Sequence, residues 1–77
     1  MSGRPVKHSV TLRGHRTSIS LEDAFWRELR AIAERKSKPI NALVADVDAT
    51  RDLETGLASA LRVYVLADLK ARLDAAG

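Results

Sequence analysis

The chain has 77 residues, no cysteine, 30% charged and 45% hydrophobic residues and a formal net charge of +3. That length fits one small domain, and a single copy buries only a modest share of its unfolded surface, so help from a second copy is expected. Without cysteine, neither a disulfide framework nor a thiolate metal site can supply the missing stability. No apolar run approaches the ~20 residues needed to span a bilayer, and the stretch MSGRPVKHS lacks the apolar centre of a signal peptide, so a cytoplasmic protein is expected.

The charge is unevenly placed. Residues 1–20 carry Arg4, Lys7, Arg13 and Arg16 with no acid, residues 21–38 carry five bases against four acids, and residues 39–77 carry four bases against six acids. A basic N-terminal quarter on a nearly neutral remainder is the electrostatic footprint of a surface that meets phosphate. A solvated basic tail is the plainer alternative for the first six residues.

In chain order, residues 1–7 hold Gly3 and Pro5 with little apolar content and read as a flexible basic arm, leaving residues 8–77 as the domain. Alternation begins at His8. Val10 and Leu12 share one parity while Thr17, Ile19 and Leu21 share the other, so the buried face changes sides near Gly14, where a bulge or a turn would produce the switch. In the second half Arg16, Ser18 and Ser20 project from a polar face and Thr17, Ile19 and Leu21 from the core face.

Ser20-Leu21-Glu22-Asp23 places a hydroxyl three residues ahead of an acid, which predicts a helix capped by Ser20. The helix, about 21–36, carries Phe25, Trp26, Leu29, Ile32 and Ala33 on one stripe. Pro39 disfavours helix at Lys38 and suits the first turn of a new one, so a tight turn leads into a second helix over about 39–49, with Ile40, Leu43, Val44 and Val47 as its apolar face. The third segment carries two stripes, Leu57, Leu61, Tyr64 and Val65 beside Val63, Leu66, Leu69 and Leu73. Leu61 to Leu66 could be a strand by residue type, but it lies among good helix formers, which favours a helix. Two stripes are too wide an apolar surface for solvent and should bury against the other helices or a second chain.

The run Arg16-Thr17-Ser18-Ile19-Ser20-Leu21, continued through Phe25 and Leu29 to Ile40-Asn41-Ala42-Leu43-Val44, resembles the ribbon-helix-helix DNA-binding proteins of the MetJ/Arc type over about 35 of the 77 residues. The longer string SVTLRGHRTSISLEDAFWRELRAIAERKSKPINAL is similar to a bacterial subgroup of small ribbon-helix-helix proteins. The resemblance implies a mostly helical homodimer. Two chains would pair their strands antiparallel into a ribbon that enters the major groove of double-stranded DNA, and the protein would be a sequence-specific transcriptional regulator.

Carried over by position, Arg16, Ser18 and Ser20 would contact bases, and Arg13, His15, Lys36, Lys38 and the helix start at Ile40 and Asn41 would contact phosphate. Ile19, Leu21, Phe25, Trp26, Leu29, Ile32, Leu43, Val44 and Val47 would form the dimer core. The residue chemistry agrees, since arginine offers a rigid fork for guanine and serine hydroxyls donate or accept at base edges and phosphates. The competing roles are an edge-strand guard against aggregation for Arg16, a helix cap for Ser20, and packing at the dimer edge for His15.

A minimal ribbon-helix-helix unit lacks both the third helix and the apolar segment Ser9 to Leu12. The third helix therefore opens a second reading, a protein-interaction module, antitoxin-like or adaptor, that meets a protein partner through Leu57 to Leu73. His8 and His15 lack carboxylates at ligand spacing, so no metal is expected. No nucleophile, base and orienting group converge in the sequence and no glycine-rich phosphate loop appears, so neither an enzyme nor a cofactor is expected. No basic amphipathic helix points to a membrane surface.

Overall fold

The computed structural model describes residues 3–77, in the order β1 (Pro5–Leu12), β2 (His15–Glu22), α1 (Asp23–Arg35), α2 (Ile40–Thr50) and α3 (Leu57–Ala76). It is a two-stranded antiparallel ribbon followed by three helices. None of the described helices is long and apolar enough to cross a membrane.

Gly14 makes a turn and not a bulge. Arg13 and Gly14 both hold positive φ, 52° and 82°, the backbone of a two-residue hairpin loop whose twist matches that of the flanking strands. Leu12 then faces His15, and each pair outward keeps the same register, Val10 with Thr17, His8 with Ile19, Val6 with Leu21. Even positions of β1 therefore share a face with odd positions of β2, which is the physical origin of the parity switch seen in the sequence.

The first strand is longer than expected. Residues 5–7, assigned to the flexible arm, are the first rungs of β1 and pair with Glu22, Leu21 and Ser20, while Met1 and Ser2 of that arm lie outside the described residues. Pro5 is tolerated there because a strand's first residue need not donate to the ladder. The ribbon partner expected from a second copy is thus, within this chain, β1.

The same pairing displaces the helix start. Ser20 sits in the ladder opposite Lys7 and does not cap α1; the cap position falls to Glu22, with no side-chain capping bond. Sheet pairing has overridden a local signal worth on the order of 1 kcal/mol. At the other end, Ser37 takes the left-handed conformation (φ 54°), and its amide and that of Lys38 donate to the Glu34 and Ala33 carbonyls at 3.0 and 2.9 Å. This paired closure ends α1 without a glycine. Pro39 then precedes α2, whose first backbone bonds are donated by Ala42 and Leu43 to the Pro39 carbonyl.

The core gathers one face of the ribbon and all three helices: Val10, Ile19 and Leu21 from the ribbon, Leu29, Ile32 and Ala33 from α1, Leu43, Val44 and Val47 from α2, Leu61 and Val65 from α3. Of the nine residues assigned to a dimer core, seven are buried already within one chain, and Phe25 and Trp26 are half-buried against the cluster. Trp26 stacks on His8 with ring centroids 4.0 Å apart, fastening β1 to α1. The Leu61 to Leu66 stretch is helical. Its two stripes part company: Leu61 and Val65 complete the core, whereas Val63, Leu66, Leu69 and Leu73 remain 64, 55, 41 and 63% exposed. Arg35 of α1 bonds Asp68 of α3 at 3.1 Å and Arg72 of α3 pairs with Glu28 of α1 at 3.6 Å, and these two contacts hold α3 along α1.

Candidate nucleic-acid interface

The hairpin register sorts its side chains by face. Opposite the core face lie Lys7, Ser9 and Thr11 on β1 and Arg16, Ser18 and Ser20 on β2, all exposed, with Lys7 facing Ser20, Ser9 facing Ser18 and Thr11 facing Arg16. These six make a continuous polar plane two strands wide. Arg16, Ser18 and Ser20 were expected on one face and are brought together there; Lys7, Ser9 and Thr11 were not expected beside them. The loop dipeptide Arg13-Gly14 carried the signal, because a two-residue turn fixes the pairing of every rung behind it.

The same geometry decides where the backbone groups point. A two-residue loop closes on a hydrogen-bonded pair, here Leu12 with His15, and hydrogen-bonded pairs alternate with pairs whose N–H and C=O point away from the hairpin. The outward set is Lys7, Ser9 and Thr11 along one edge and Arg16, Ser18 and Ser20 along the other. On the β1 edge, the Thr11 amide donates to Asn41 Oδ1 at 3.2 Å. This bond draws the first turn of α2 against the strand. Asn41, expected to offer its backbone amide to phosphate, therefore also anchors that helix start with its side chain.

The β2 edge is open. A groove of about 490 Å³ runs beside it, lined by Leu12, His15, Thr17 and Ile19 from the ribbon and by Leu57 and Ala58 from the start of α3. His15 and Thr17 lie on the core-side face yet are exposed, because none of the described residues covers that end of β2. His15 is thereby turned away from the plane of Arg16. The expected phosphate role fits its position less well than the packing role.

Most of the cations divide by region. Among the described residues Arg4, Lys7, Arg13 and Arg16 of the hairpin region form no ion pair. Arg27, Arg35, Lys38, Arg51, Arg62 and Arg72, on and between the helices, all do. Lys38, expected at phosphate, bonds Asp46, whose carboxylate holds the ammonium above the usual lysine range. Lys36 lies 6.0 Å above the Tyr64 ring, on the α3 side. The one acid at the end of the polar plane, Glu22, is met by Arg62 at 2.8 Å, and that hydrogen bond holds its carboxyl below the usual range. Arg30, Lys36 and Lys70 in the helical region also lack an acidic partner among the described residues, but the hairpin gathers Arg4, Lys7, Arg13 and Arg16 on a segment with no acid before Glu22.

Against known proteins, the model of the ribbon-helix-helix domain matches residues 5–69. No curated protein and no solved structure matches the chain. The match begins at the first residue of β1 and ends inside α3, so it takes in both elements that a minimal ribbon and helix pair would leave out. With the ribbon, the two helices behind it and the matched span in agreement, this chain belongs to the ribbon-helix-helix domain family.

Proposed function

We propose that the protein binds double-stranded DNA as a homodimer, places the outward face of β2 in the major groove, and reads base edges with Arg16, Ser18 and Ser20 to regulate transcription. The observation that carries this reading is the exposed plane holding those three side chains beside cations without acidic partners. Arginine can bond both acceptors of a guanine, and the serine hydroxyls suit either base edges or phosphate. Arg13 at the loop tip and the amides of Ile40 and Asn41 at the start of α2 supply phosphate contacts that fix register without reading sequence.

The dimer in this reading forms on the open edge of β2. Its outward backbone groups belong to Arg16, Ser18 and Ser20, so two copies related by a two-fold axis through Ser18 would pair Arg16 of each chain with Ser20 of the other. Pairing would cover His15, Thr17 and the groove at Leu57 and Ala58. It would also place both sets of reading side chains on one surface, as a palindromic site requires. Fluorescence anisotropy of a labelled mixed-sequence duplex, titrated across a range of salt, tests the reading: affinity should fall steeply as salt rises. Absence of binding at low salt would reject it.

The outer stripe of α3 favours a second reading. Val63, Leu66, Leu69 and Leu73 are exposed together, and the groove bounded by Phe25, Leu66 and Leu69 is almost wholly apolar. An antitoxin or adaptor would use such a stripe to hold a protein partner. Removing the helix cannot test this, since Leu61 and Val65 would leave the core with it. Replacing Leu66 and Leu73 by serine can: duplex binding should persist, while association with a protein partner in cells should be lost.

A further inference from the structure

The first strand has no part in the reading just given, yet it lies in the same plane. We propose that β1 is a phosphate-contacting flank, its Lys7, Ser9 and Thr11 meeting the sugar-phosphate backbone at the rims of the groove while β2 alone reaches the bases. This rests on the DNA-binding reading above and adds the division of labour between the strands.

The width of the paired sheet decides which strand reaches the bases. Neighbouring strands are spaced about 4.8 Å apart, so joining two hairpins through their β2 edges gives a four-stranded sheet whose inner strand axes are about 5 Å apart and whose outer axes are about 14 Å apart. The major groove is about 12 Å wide. The β2 pair fits within it; the two β1 strands overhang its walls, where the phosphates are.

The chemistry of β1 suits that position. Lys7 is a flexible point charge without an acidic partner among the described residues, Ser9 and Thr11 offer hydroxyls, and the Lys7 and Ser9 amides point outward from the free edge. None of the three has the rigid fork that base recognition favours, which on this face belongs to Arg16 alone. The Thr11 to Asn41 bond sets the first turn of α2 beside β1, on the rim side of the sheet and away from the base-reading strand. Strand and helix start thus make one strip facing the backbone.

The test compares Lys7→Gln and Lys7→Arg with Arg16→Ala on two labelled duplexes, one selected by the wild-type protein from a random-sequence pool and one scrambled from it. Lys7→Gln should weaken binding to both duplexes by the same factor and make the slope of log affinity against log salt shallower by about two per dimer. Lys7→Arg should restore the slope, and Arg16→Ala should instead narrow the preference for the selected duplex.

If Lys7→Gln leaves affinity and slope unchanged while Arg16→Ala still acts, β1 stays off the DNA and the proposal falls, with the reading by β2 intact. If Lys7→Gln narrows the preference as Arg16→Ala does, a single hairpin has entered the groove and β1 reads bases, which also overturns it. Failure of the wild type to bind either duplex at low salt would remove the DNA-binding reading itself.

Discussion

The ribbon and the helical layer carry similar residues to different ends. In the helical layer most arginines meet acids: Arg35 and Arg72 share Asp68, Arg51 bonds Asp48, and Arg62 reaches across to Glu22, with Arg30 the exception among the described residues. In the ribbon, Lys7, Arg13 and Arg16 stand exposed without such partners among the described residues. The apolar residues divide in the opposite sense, with most of the core coming from the helices and only Val10, Ile19 and Leu21 from the ribbon. Charge that is paired holds a fold in register. Charge left open on an exposed face raises the local potential and favours an anionic partner. The comparison therefore assigns stability to one region and binding to the other, and substitutions can break that assignment.

The largest effect should come from the core. Leu61→Ala removes a fully buried side chain from α3 and should cost about 2–5 kcal/mol in urea unfolding, with DNA binding lost only to the extent that the protein unfolds. A near-neutral result would mean that α3 is docked loosely and that its place in the core is overstated. Arg16→Ala should do the reverse: about 1–3 kcal/mol lost in discrimination between a preferred and a random duplex, with the unfolding midpoint unmoved. Discrimination equal to wild type would refute Arg16 as a base reader.

A smaller effect concerns the seam between the regions, where Arg62 of α3 bonds Glu22 at the end of β2. Because Arg62 lowers the Glu22 pKa in the folded chain, the pair contributes stability above the unfolded carboxyl's ordinary value, and this is lost as pH falls through the lowered folded value. Glu22→Gln should therefore lower the neutral plateau slightly and leave stability below the lowered pKa little changed, so that the acid limb becomes flatter. An acid limb identical to wild type would show the pair to be a solvated contact with no linkage.

Much of this arrangement was legible in the sequence because it is local. The alternation of Thr17, Ile19 and Leu21, the α1 stripe from Phe25 to Ala33, and the break at Pro39 each follow from spacing within a few residues, and the structure keeps them. The residues that went astray depend on distant partners. Pro5 to Lys7 have almost no apolar pattern of their own and become a strand only because β2 pairs with them; the same pairing takes Ser20 from its capping signature. Lys38 looked free for phosphate until the turn folded Asp46 back against it. The two stripes of α3 were visible, but only packing against α1 and α2 decides which of them is buried.

The face itself was half legible. Arg16, Ser18 and Ser20 follow from parity on one strand, and the resemblance to ribbon-helix-helix proteins gave them a role. Lys7, Ser9 and Thr11 required the register, which a turn at Arg13-Gly14 supplies once it is read as two residues long.

The most direct test of the division between ribbon and helices is a map of backbone amide shifts by nuclear magnetic resonance as a duplex is added to the labelled protein. The shifts should concentrate on Lys7 to Ser20 and on Ile40 and Asn41, with the outer stripe of α3 from Val63 to Leu73 unmoved. Shifts centred on that stripe, with the ribbon silent, would contradict it and make α3 the binding surface.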